Sequence, residues 1–265
     1  MMTALVLRSF GRVKILTASL AVVLICLQLA IIAAARSLND GNVFERLTQI
    51  APPFFMQIMG PALTGFSGLV MFAYIDPLIV MLVVVFAIYL ATEPAGEIES
   101  NVVDLVLARP LPRHIVVSRS FLVMAIGTAL MGSSMQVTTW AGLWWMAPPD
   151  AQWPVPRTVF SLSVHMTLVA WCFGAMALAA SGWARRRGAV VGAIGVVAIA
   201  AYLVEVLEPM WAPAREVAWV SPFHYYRAGR IIAGTAEDAR NLAVLGSIAL
   251  ASTAIAYWRF GKRDL

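Results

Sequence analysis

Residues 93–119, EPAGEIESNVVDLVLARPLPRHIVVSR, form the longest polar interruption between two strongly apolar blocks of the chain. The first half of this stretch has helical periodicity. Ile98, Val102, Leu105 and Val106 share one face, and Glu97, Ser100, Asn101 and Asp104 share the opposite one. Acidic residues gather at its start and Arg109 stands near its end, the order that suits the helix dipole, before Pro110 and Pro112 stop the helix. The pattern predicts an amphipathic helix lying outside a bilayer. A solvated loop between two spans is the plainer reading.

The flanking sequence supplies the bilayer. With 61% hydrophobic and 12% charged residues, 265 residues carry too little charge to cover a soluble globule. Mean hydropathy is +0.81. The fold class expected is an all-α integral membrane protein with six transmembrane helices in a single domain over 1–265. Apolar runs long enough to cross lie at 15–35, 66–91, 120–146, 158–184, 188–207 and 240–257. Ala33, Ala34 and Ala35 resemble a signal-peptide cleavage site, but the first run is longer than a usual signal core, which favours an uncleaved span. Before it, Arg8, Arg12 and Lys14 among Leu5, Val6, Leu7 and Phe10 suggest a short interfacial helix at the N-terminus.

A net charge of +5 could point to nucleic acid, yet the basic residues are spread over the ends of the apolar runs. They act as topology signals instead. With the amino terminus in the cytoplasm, the short cytoplasmic connections collect most of them, including Arg185, Arg186 and Arg187, so both termini and the 93–119 stretch are expected inside.

The chemistry of a self-contained enzyme is missing from the pattern. Lys14 and Lys262 are the two lysines, and neither belongs to a glycine-rich phosphate loop. His114, His165 and His224 show no metal-ligand spacing, and Cys26 and Cys172 fall inside apolar runs. No catalytic or metal site is expected. Within the spans, Gly188, Gly192 and Gly195 share a face, and Gly127 and Gly132 fall in the third run, which predicts close helix packing inside one bundle, with a subunit interface as the alternative. Gln136 and Thr139 in the third span and His165 in the fourth sit at similar depth and could line a substrate path or form interhelical hydrogen bonds. Asp76 and Glu205 lie towards outer span ends. Trp140, Trp144 and Trp145 read as an interfacial aromatic belt.

The order of these features resembles the type-2 permeases of ATP-binding-cassette transporters. The likeness rests on Glu93 and Glu97 after the second span, DLVLARPLPRHIVVSR at 104–119, Ser221-Pro222-Phe223 in the last external segment, and the closing RFGKRDL. Glu99-Ser100-Asn101 departs from the Gly-Thr pair the family often carries there. The resemblance implies a coupling helix at about 94–108 that docks on a separate cytoplasmic ATPase. Glu93, Glu97, Glu99 and Asp104 would be its polar contacts, and Arg109 and Arg113 would pair with the partner or with lipid phosphate. ATP and Mg would belong to that partner, leaving this chain without a cofactor or enzymatic activity of its own. It further implies a second permease chain, identical or related, in the cell's cytoplasmic membrane. The function expected is export of an amphipathic or lipid-like substrate. The rivals are an ATPase-driven relay for maturation of an extracytoplasmic protein and an ion-coupled carrier.

Overall fold

The computed structural model describes residues 2–39, 65–99, 114–184 and 186–262. Helices account for the regular structure among them. In chain order these are α1 (Met2–Asn39), α2 (Phe66–Met71), α3 (Pro77–Ala91), α4 (Glu93–Glu99), α5 (His114–Met146), α6 (Pro156–Ser181), α7 (Arg187–Leu207), α8 (Ala212–Val217), α9 (Ala228–Ile232) and α10 (Asp238–Lys262). Six helical segments are long and apolar enough to cross a membrane: Leu5–Leu38, Phe66–Ala91, His114–Met146, Pro156–Ser181, Arg187–Leu207 and Asp238–Lys262.

The N-terminal basic segment and the first span are one continuous helix. No break separates Arg8 and Arg12 from the apolar run that follows. The third span begins six residues earlier than hydropathy places it, so that Arg119 lies inside α5. The sixth extends to Lys262. In both cases helix geometry continues past the apolar limit, because charged side chains at the ends can pair or turn towards the interface.

The core sits around α6, which packs against α10, α3 and α5, while α1 lies along α5. In its most apolar window α6 is 72% buried and α7 only 11%, which makes α6 the axis and α7 a peripheral helix. Between helices immersed in lipid there is no hydrophobic drive to associate, so close packing of small residues carries the contact. A Cβ on Gly132 would stand 2.5 Å from Thr167 Oγ1 and 3.1 Å from Ser163 Oγ, and the Ser163 hydroxyl donates to the Gly132 carbonyl at 3.0 Å. Gly127 faces Leu90 and Phe86 equally tightly. The glycines of α7 behave differently. Nothing lies within 4 Å of where a Cβ would sit on Gly188, Gly192 or Gly195, so the packing expected of this stripe inside the bundle does not occur. Gly132→Ala is therefore expected to destabilise the protein by about 1–3 kcal/mol through overpacking. Gly192→Ala is expected to leave the thermal midpoint unchanged or raised, and unfolding of the two variants in detergent measures the contrast.

The second span is interrupted. After α2 the chain makes a 3-10 turn over Phe72–Tyr74, and α3 restarts at Pro77 with Asp76 as its cap. Asp76 Oδ1 accepts from the Leu78 and Ile79 backbone N–H groups at 2.9 and 3.2 Å, an arrangement prepared by Pro77 at the first helical position. Asp76 thus has a structural task. Carbonyls exposed by such a break must find donors elsewhere. Gln28 Nε2 on α1 donates to the Val70 carbonyl at 3.2 Å, and the Tyr226 hydroxyl donates to the Tyr74 carbonyl.

Candidate functional site

Two polar clusters occupy opposite ends of the bundle. The first surrounds α4, which begins directly after α3 and presents Pro94, Ala95 and Glu97 inward. Glu97 is the central group. Its Oε2 accepts from Arg119 Nη2 of α5 at 2.7 Å, and its Oε1 lies 3.4 Å from Arg12 Nη1 of α1. Glu93 completes the square at 3.4 Å from Arg12 and 3.9 Å from Arg119. The Arg119 and Glu97 side chains are 4% and 5% exposed, so this is a buried ion pair, with Arg12 half-exposed at its edge. Among the described residues two carboxylates meet two guanidinium groups, and pairing of this kind is the condition for burying charge at all.

The far side of α4 is held by α7. Glu99 Oε2 accepts from the Arg187 backbone N–H at 2.9 Å, placing an anion at the first turn of α7, where the helix dipole favours it. The Arg187 side chain reaches back along α3. Its Nη2 donates to the Tyr89 carbonyl at 2.6 Å, its Nε donates to Thr92 Oγ1 at 3.2 Å, and its guanidinium stacks 3.8 Å from the Tyr89 ring centroid. The close pass of Arg187 Cδ over Gly96, 3.2 Å from a would-be Cβ, depends on the missing side chain at that position. The described half of the 94–108 helix is thereby joined by charge to α1, α5 and α7. Asp104, Arg109 and Arg113 lie outside the described residues.

The surprise in this cluster is the direction of the acidic side chains. Glu93 and Glu97 turn towards arginines of the same chain, and Glu99 alone of the three is exposed. Arg12, Arg119 and Arg187 look in the sequence like topology signals. The four-residue spacing of Glu93 and Glu97, which puts both on one helix face, was the available sign that they share partners.

Thr139, Gln136 and His165 divide between two surroundings. Thr139 is wholly buried and belongs to a network in which its hydroxyl donates to the Met135 carbonyl, accepts from Gln28 Nε2 at 3.0 Å and lies 3.2 Å from the Tyr74 hydroxyl. The network packs α1, the broken second span and α5 together at the level of the break. His165 is also wholly buried on α6, with Nδ1 2.8 Å from the Ser161 carbonyl and Nε2 without a hydrogen-bond partner among the described residues. Gln136 is half-buried, and among the described residues no hydrogen bond joins it to His165. Trp144 and Trp145 are exposed at the end of α5, as an interfacial belt requires, while Trp140 turns in towards Trp153 with ring centroids 6.5 Å apart.

The second cluster, at the other end, was missed in the sequence. Glu205 and Glu208, three residues apart at the end of α7, share a face with Arg227 and His224. The Arg227 guanidinium binds Glu208 through Nη2, approaches Glu205 Oε1 at 3.4 Å and donates to His224 Nδ1 at 2.7 Å. Burial, then the neighbouring Arg227 charge, push His224 below its usual pKa, so the imidazole stays neutral and accepts. Tyr226, fully enclosed beside it, has its phenol pushed well above the usual value by burial. The Glu-x-x-Glu spacing was the legible clue. The 15 residues between Glu208 and His224 concealed the third member.

Glu205, Glu208 and His224 have ligand atoms within 4.8 Å of one another, the spacing of a cation site. The donor set does not fit a resident metal here, because the Arg227 guanidinium already occupies the position between the two carboxylates. Compared with known proteins, the chain matches no family model and no curated protein sequence.

Proposed function

We propose that the chain is the membrane permease of an ATP-driven exporter whose motor is a separate ATP-binding-cassette subunit. The observation that carries the reading is the fixing of α4. A seven-residue helix at one end of the bundle is joined through Glu97, Glu93 and Glu99 to α1, α5 and α7. A force applied to α4 therefore reaches three spans at once. An element that transmits a partner's movement needs this rigidity, since a floppy loop would dissipate it. The inward-facing Glu93 and Glu97 then act within the permease. Contact with the motor falls to exposed Glu99 and to Asp104, Arg109 and Arg113.

On this reading the α4 end is cytoplasmic, the end that carries Glu205 and Glu208 faces outward, and two permease chains work with two motor chains in the cytoplasmic membrane. An ATP-binding-cassette ATPase is expected to co-purify with the wild-type chain and to be lost from Asp104→Lys, a change that keeps both Glu97 and Arg119 in the sequence. If the chain purifies without such an ATPase, or if Asp104→Lys retains it, the assignment is wrong.

A further inference from the structure

The cluster at the end of α7 forms one wall of a cavity of about 630 Å³. Its apolar lining comes from Ile75 at the break in the second span, Val80 one turn into α3, Tyr202 on α7, and Phe223. The volume lies within the range of small-molecule sites and would hold a headgroup with the first methylenes of a chain. The depth is equally telling. α7 ends at Leu207, so for a helix crossing a bilayer over Arg187–Leu207 the residues Glu205 and Glu208 fall at its end, near the headgroups, while Val80 lies within the candidate span Phe66–Ala91.

Charge in the cavity is asymmetric. Arg227 bridges Glu205 and Glu208 and cancels one of their two charges. Arg215 and Arg230 also line the cavity, both are exposed, and neither side chain makes a hydrogen bond or ion pair among the described residues. Three guanidinium groups thus face two carboxylates, a surplus of one positive charge, and Arg215 and Arg230 are the two whose guanidinium forks are open among the described residues. Guanidinium forks match phosphate oxygens, and a phosphate at this depth would bring an apolar chain with it. A divalent cation would instead have to expel Arg227.

We propose that this cavity binds an anionic amphiphile, with Arg215 and Arg230 holding a phosphate headgroup and the start of the acyl chain lying along Ile75, Val80 and Phe223. The site stands apart from the export reading, because binding here requires neither an ATPase nor transport. The probes are short-chain phosphatidic acid, phosphatidylcholine of the same chain length, and inorganic phosphate. Each is titrated against the purified full chain in nanodiscs of neutral lipid. Saturable binding of phosphatidic acid is expected, about tenfold tighter than that of phosphatidylcholine and weakened at least tenfold in the R215Q/R230Q double variant. Val80→Trp, which fills the apolar wall and leaves both arginines, is expected to weaken it comparably while the protein remains monodisperse. Equal binding of the two lipids, or binding that both variants leave intact, overturns the proposal. Inorganic phosphate binding as tightly as phosphatidic acid overturns it as well, since the apolar wall would then contribute nothing.

Discussion

Replacing Glu97 by Met is expected to destabilise the solubilised chain by about 3–5 kcal/mol, the magnitude typical of breaking a buried ion pair from one side. The variant would leave Arg119, 4% exposed, with Glu93 at 3.9 Å as its nearest remaining anion among the described residues. The double variant E97M/R119M should recover most of the loss, because two apolar side chains of similar length can fill the space without an orphaned charge. Thermal unfolding of the two singles and the double closes the cycle. A Glu97→Met variant as stable as the wild type would mean that the pair does not hold α4. The same geometry explains why Glu97→Lys is a poor probe of coupling. It would set a third cation beside Arg12 and Arg119, so loss of transport would report structural damage.

A second large effect is expected at the opposite end. Arg227→Met should cost roughly 2–4 kcal/mol, somewhat under the buried-pair figure because the ion-paired side chains keep 15–21% of their exposure. It leaves Glu205 and Glu208 facing each other beside His224, a set with the ligand types and spacing that zinc accepts. Added Zn²⁺ should therefore raise the unfolding temperature of Arg227→Met and leave that of the wild type unchanged. Combining Arg227→Met with Glu208→Gln should abolish the zinc effect. Stabilisation of the wild type by zinc would show that Arg227 does not hold the cation's place.

Much of the architecture was legible because a bilayer imposes a coarse rule. Runs of about 20 apolar residues must become helices that satisfy their own backbone, and all six emerged at the expected places. Finer structure depended on partners far away in the chain. Hydropathy could not show that Arg119 enters α5, because its charge is cancelled by Glu97, 22 residues earlier. Nor could it place the glycines. Gly132 and Gly192 look alike as small residues in apolar runs, and the path of the neighbouring helix alone decides which is crowded. The acidic face of α4 was legible as a face, while its direction was not, since Arg12 lies 85 residues before Glu97. The cavity is the extreme case. Its members come from the second span, α7 and the segment after it, and they share no local pattern.

The break in the second span also bears on the order in which the protein is made. The Tyr74 carbonyl waits for a hydroxyl 152 residues further along the chain. A nascent chain has inserted its second span long before Tyr226 leaves the ribosome, so for most of synthesis that carbonyl must be hydrated or paired with something temporary. The native turn at Phe72–Tyr74 is thus completed among the last events of biogenesis, and the wall of the cavity that begins at Ile75 is completed with it.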